Sequence, residues 1–387
     1  VSRLLPAAAV VAVGLLPLAA CRRSRPPIAD VQTPPFVFRS LDLKQQDAGG
    51  RPAWQLTSPE ARYDLRRRLA RAEKPKGLIY AKGQPLYRLQ ADSGTVIGDG
   101  QAILLEGNLR VERLSKPEML IQAARARWLP QQKLLLVDRR PETYDQHGRL
   151  RAERARFRLD ADTLELSGAP RLDRWAQRFN PFTALPTGPP ETTVQVASLS
   201  WQPGTGALVA PGPVVGERRL AGLPAGAQPQ KLLAERLEGN TQLQTFSLLG
   251  AVQLEDSTRG QRFVGRDLRL DLSAQSGTTN FPFQLSDGSR RVTGTGLTVQ
   301  GLEAVASIAS QCHVEQPGDQ LNADRCQWNW RSGAVSAEGS VLLQRAANRQ
   351  TSRATLLKGK LGERGSFAIS APGGRVISQF QVTGRSR

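Results

Sequence analysis

The stretch that most constrains this chain is residues 101–112, QAILLEGNLRVE. Ile103, Leu105, Leu109 and Val111 fall at every second position, and Gly107-Asn108 interrupts the alternation between them. A period of two is a strand with one apolar face, and a glycine in mid-strand marks a bulge, a bend or a close backbone approach. The nine-residue cell LLEGNLRVE (104–112) recurs as ELSGAPRLD (165–173), SLLGAVQLE (247–255) and SAEGSVLLQ (336–344). In each copy the glycine is followed two and four positions later by mostly apolar residues. Recurrence of this kind implies one supersecondary unit stacked on copies of itself.

Composition agrees with an all-β chain. Across 387 residues there are 36 Gly and 26 Pro, which supply turns, and only 5% aromatic residues. The formal net charge is +19, so candidate partners are anionic: nucleic acid, a membrane surface or a glycolipid. After residue 21 no apolar stretch is long enough to cross a bilayer.

Residues 1–21, VSRLLPAAAVVAVGLLPLAAC, separate those partners. A single Arg3 precedes an apolar run, and Leu18-Ala19-Ala20 places small residues before Cys21. This resembles a bacterial lipoprotein signal, with residues 1–20 removed and Cys21 lipidated; a plain signal peptide or a short anchor is the alternative. Export to an extracytoplasmic space removes nucleic acid as a partner. It also leaves Cys312 and Cys326 as an even pair in an oxidising compartment, flanking the turn-rich EQPGDQLNAD, where a disulfide between neighbouring strands contributes roughly 3 kcal/mol. The two remaining cysteines, with only two histidines in the whole chain, make a poor metal site.

Residues 21–35 are polar and proline-rich and read as a linker. Residues 59–73, with Pro59 after Ser58, are the one stretch that reads as a helix. From Leu78 onward, hairpin units recur at intervals of about 30–40 residues. Residues 180–192 (NPFTALPTGPPET) and 209–230 are rich in Pro, Gly and Ala and read as surface excursions. The first of these sets the expected boundary between modules at 36–179 and 193–387. Arg125, Arg127, Arg154, Arg156 and Arg158 alternate outward as a basic strip, either a solvated face or a contact for anionic headgroups.

The order of features over residues 36–145 resembles the LptC family: an anchored N-terminus, a strand, Trp54-Gln55-Leu56, Ala61-Arg62-Tyr63, and hairpins ending in Leu105-Glu106-Gly107-Asn108-Leu109. The later copies resemble the generic repeat that family shares with LptA and the N-terminal part of LptD. The resemblance implies an antiparallel, twisted β-jellyroll, here as two tandem modules, open along one side and holding the acyl chains of lipid A. It also implies a periplasmic component of the lipopolysaccharide export bridge, anchored to the inner membrane rather than the outer. Its partners would be lipopolysaccharide, the inner-membrane lipopolysaccharide ABC transporter and an LptA-like bridge protein joined through edge strands. The acyl-chain lining would be Tyr87, Leu89, Ile103, Leu105, Leu109, Val111 and Phe157. A lipobox in place of a transmembrane helix, and about twice the usual length, depart from the family pattern.

The sequence offers no catalytic constellation and no cofactor motif. His147 and His313 are the only histidines, too few for a convincing triad, and the strand-borne acids Glu106, Glu165 and Asp267 have outward parity. The chain is therefore expected not to be an enzyme. The competing readings are an exported β-rich protein that binds or processes polysaccharide, and a structural envelope lipoprotein. Alternation alone leaves open whether the inward residues form a closed core or line a slot.

Overall fold

A computed structural model of the chain describes residues 36–219, 228–346, 349–360 and 366–380. Among these residues 31 strands form a single hydrogen-bonded ladder. The only other regular structure among them is two 3-10 turns, Gly98–Gly100 and Pro130–Gln132. The leader, Cys21 and the linker lie outside the described residues.

The ladder is folded lengthwise into two walls. One wall runs from Leu41–Gln46 through Pro52–Ser58, Lys76–Ala81 and Gln84–Gln90 to the C-terminal half of Ala102–Arg113. The other runs from Phe36–Phe38 through Glu60–Asp64, Leu69–Glu73 and Ser93–Ile97 to the N-terminal half of the same strand. Ala102–Arg113 thus belongs to both walls, and the bend falls at its glycine. The register against Met119–Leu129 shifts there, Leu109 facing Ala123 and Glu106 facing Arg125. Gly107 (φ 75°) and Asn108 (φ 42°) both occupy the left-handed region, and the pair opposes one residue of the neighbouring strand. That is a β-bulge used to turn a sheet corner.

The other cells repeat the device. Gly168, Gly250 and Gly339 have φ of 81°, 78° and 71° and lie on the same corner line. An acid packs over each glycine: Asp92 on Gly107, Glu153 on Gly168, Glu235 on Gly250 and Asp324 on Gly339. In every case the acid precedes its glycine by 15 positions and follows an alanine, Ala91, Ala152, Ala234 or Ala323. At the first and last corners the acid's backbone N–H also donates to the glycine carbonyl, Asp92 to Gly107 at 2.9 Å and Asp324 to Gly339 at 2.9 Å. The alanine faces inward where a larger side chain would crowd the bend.

The expected helix over 59–73 is two strands, Glu60–Asp64 and Leu69–Glu73, joined by a tight turn. Ala61, Ala70 and Ala72 are buried on one face at strand parity. The Asp64 carboxylate accepts from the backbone N–H groups of Arg66 and Arg67, closing the turn. Ser58 caps no helix; its hydroxyl lies 2.6 Å from the carbonyls of both Glu60 and Glu73, which share its one proton. Nor is the start of 209–230 a surface excursion. Ala207–Arg218 is a full strand, with its corner at Gly212-Pro213.

Residues 180–192 do not interrupt the ladder. Thr163–Ser167 pairs with Ser198–Trp201 and Arg171–Arg174 pairs with Thr192–Gln195, so both walls continue past them. A change of strand type falls later, between Ser198–Trp201 and Ala207–Arg218. Before it most rungs are two short strands of 3–7 residues, and after it most are single bent strands of 11 or 12.

Candidate functional site

The interior between the walls differs along the molecule. Tyr87, Leu89, Ile103, Leu105, Leu109, Val111 and Phe157 come together on the inner faces, each with 0–1% of its surface exposed. Tyr87 packs edge-on to Phe157 with ring centroids 5.1 Å apart, and Trp54 to Trp128 at 5.3 Å. In this half the seven residues are packed core, because large aromatic side chains fill the space between the walls.

Polar straps fasten the two free rims across this filled half. The Tyr87 hydroxyl donates to the Asp162 carboxylate. The Gly204 N–H donates to the same carboxylate at 2.7 Å, and Arg113 pairs with it at 3.5 Å. Burial, reinforced by Asp162, pushes the Tyr87 phenol well above its ordinary value, so it stays a donor. Further along, His147 Nε2 accepts from Arg178 Nε at 3.1 Å and lies 3.3 Å from the Gln244 amide nitrogen. Burial first, then the charges of Arg174 and Arg178, push His147 down to about 4. Beside it Asp173, wholly buried, receives Arg149 at 2.8 Å, Arg151 at 2.9 Å and Arg171 at 2.8 Å. Burial alone would raise that carboxyl, but hydrogen bonds from Arg171 and Arg149, with the charge of Arg151, hold it below its usual range.

The last hairpins are different. Their inner faces carry smaller side chains, and Val292, Val299, Ala306 and Val314 are only partly buried. A cavity of about 70 Å³ lies between the walls, lined by these four, Leu297, Ile308, Leu321 and Trp328 among others. It adjoins a polar mouth of about 820 Å³ lined by residues from 286–291, 315–320, 344–346 and 349–351. Arg290, Gln316, Asp319 and Gln320 line both. Cys312 and Cys326 are bonded, with Cα atoms 5.9 Å apart. Cys312 sits on the half of Val305–Gln316 that pairs with Asp319–Ala323, and Cys326 on Arg325–Asn329, which pairs with the other half. The bridge therefore ties the two walls close to their corner, and Cys326 lines the cavity.

The outward arginines are partly paired across strands: Arg125 with Glu106 at 3.6 Å, and Arg156 and Arg158 with Glu165 at 3.9 and 3.2 Å. Exposed pairs of this kind contribute about 0–1 kcal/mol each. Among the described residues no group of three or more His, Cys, Asp or Glu could hold a metal. No helix among them is long and apolar enough to cross a membrane.

Two apolar-lined walls of antiparallel strands, bent at a shared line of glycine bulges, define an all-β jellyroll of the LptC-like type. Residues 4–171 match the family described as lipopolysaccharide-assembly, LptC-related. The match supports an LptC-type assignment for that segment and involvement in lipopolysaccharide transport in the cell envelope. No curated protein matches the chain. The family segment ends within the strand Arg171–Arg174, so the cavity and its mouth lie wholly beyond it.

Proposed function

We propose that this chain is a non-enzymatic component of the lipopolysaccharide export bridge that holds acyl chains between its walls without altering them. The observation that carries the reading is the apolar cavity of the last hairpins, which adjoins a polar mouth in one rim. Each methylene removed from water contributes about 0.8 kcal/mol, so a segment of about six contributes about 5 kcal/mol before the cost of ordering the chain. As it stands the cavity takes only a short alkyl segment. Deeper entry parts the walls, which is easiest where no polar strap crosses the rims.

In this reading the two halves divide the work. The filled half, which carries the family match, is the rigid brace; the second half carries the acyl chains, with lipid A as the bound portion. Lipidation at Cys21 would tether the brace to the periplasmic face of the inner membrane, within reach of the ABC transporter. The ladder ends are the surfaces for a bridge partner. Phe36–Phe38 and Leu41–Gln46 at one end, and Phe367–Ser370 and Ile377–Gln379 at the other, each pair on one side only among the described residues. Unpaired edges of this kind accept a further strand.

Purification from envelope membranes, followed by mass spectrometry of the bound lipid, tests the reading. Lipid A fatty acids recovered in stoichiometric amount support it. Recovery of bare polysaccharide, or of no lipid, contradicts it.

A further inference from the structure

The rims of the last hairpins are held by a different kind of contact from the straps of the first half. The Arg290 guanidinium lies 5.2 Å from the ring centroid of Trp328 on the opposite wall, and Arg345 lies 5.7 Å from that of Phe367. Both arginines stand at strand ends on one rim, and both aromatics on strands of the facing wall. Arg290 Nε is buried and has no hydrogen-bond partner. Arg345 has one, Asp319 at 3.3 Å. Arg291 lines the same mouth, and Glu315 and Asp319 are the acids facing it. A guanidinium over a ring is held by about 0.5–2 kcal/mol, whereas paired N–H groups aimed at a phosphate make the stronger, bidentate charge-assisted bond.

We propose that Arg290 and Arg345, with Arg291 beside them, form an anion-recognition gate over the cavity, and that its ligand is an amphiphile with a phosphate headgroup and an alkyl chain. This rests on the acyl-chain reading and adds the group that selects the head. The phosphate draws the two guanidiniums off Trp328 and Phe367 into the mouth, which uncovers the apolar lining for the chain. Recognition of the head and opening of the slot are then one event. Arg290 is favoured as the first contact, because its buried Nε–H has no partner to give up. Arg345 must weaken its pair with Asp319 to move.

The test is calorimetric titration of the purified chain with three probes: dodecyl phosphate and dodecyl maltoside, each below its critical micelle concentration, and inorganic phosphate. The proposal expects dodecyl phosphate to bind at least tenfold more tightly than the maltoside. The double variant Arg290→Gln/Arg345→Gln should bring the two amphiphiles to the same affinity. Circular dichroism and the thermal midpoint of the variant confirm that it is folded. If both amphiphiles bind equally to the wild-type chain, the gate is wrong while the alkyl slot stands. If neither binds, the slot reading fails and the gate with it. Inorganic phosphate binding as tightly as dodecyl phosphate would show a free-anion site and overturn the amphiphile.

Discussion

Gly107→Ala probes the corner on which both walls depend. A Cβ at this position would lie 2.5 Å from Asp92 Oδ2 and 2.9 Å from Asp92 Cβ, so the Asp92 side chain must move. Moving it breaks the 2.8 Å hydrogen bond from the Asn108 amide, a loss of about 1 kcal/mol. Alanine at φ 75° adds about 1–2 kcal/mol of left-handed strain. The expected cost is therefore about 2–3 kcal/mol. Gly50→Ala is the control, since Gly50 also has φ 75° but a Cβ there meets nothing within 4 Å; it should cost the strain alone, about 1–2 kcal/mol. Urea unfolding followed by tryptophan fluorescence gives the stabilities, and native-state hydrogen exchange at residues 90–108 shows where the loss falls. Asp92→Gly removes both the clash and the hydrogen bond, so the double variant should cost less than the sum of the singles. A Gly107→Ala cost below about 0.5 kcal/mol, or costs that simply add, would refute the packed-corner account.

Two further predictions concern the straps and the bridge. Replacing Cys312 and Cys326 with serine should cost about 3 kcal/mol, from a closed loop spanning 14 positions, and speed exchange in the last hairpins; an unchanged unfolding midpoint would count against a structural role. His147 is pushed from 6.5 to about 4 in the folded chain, so below pH 6.5 the unfolded chain takes up a proton that the folded one does not. Its contribution is complete above pH 6.5 and declines as pH falls towards 4. His147→Gln should therefore flatten the stability profile in that window, and a profile of unchanged slope would show that the imidazole is not held neutral.

The wall pattern was legible because alternation fixes which residues face inward, and the glycine cell located the corners. The sequence carries a second signal for the corners: an Ala-acid pair whose acid precedes each corner glycine by a constant 15 positions. Residues 59–73 misled because Ser58-Pro59 followed by arginines and leucines imitates a helix start. The competing strand parity of Ala61, Ala70 and Ala72 was the stronger constraint, since pairing with neighbouring strands overrides local propensity. The Pro-Gly content of Ala207–Arg218 hid a strand because its glycine and proline both serve the corner.

Where the cavity lies was not legible from alternation. Tyr87 and Val299 both face inward, yet only summed side-chain volume decides whether facing walls touch. Trp54, Trp128, Tyr87 and Phe157 close one half, while Val292, Val299, Ala306 and Val314 leave room in the other. The mouth arginines were not legible because they stand at strand ends on a rim, where charge is ordinary and only the facing wall supplies Trp328 and Phe367.

The most direct test of the central claim is site-specific photocrosslinking in cells, with benzoylphenylalanine at Val299 and Val314 in the cavity, at Thr298 on the outer face, and at Leu105 in the filled half. The account predicts lipopolysaccharide adducts at Val299 and Val314 and none at Thr298 or Leu105. Equal capture at Val299 and Thr298, or capture at Leu105 alone, would show that the second half is not the path of the acyl chains.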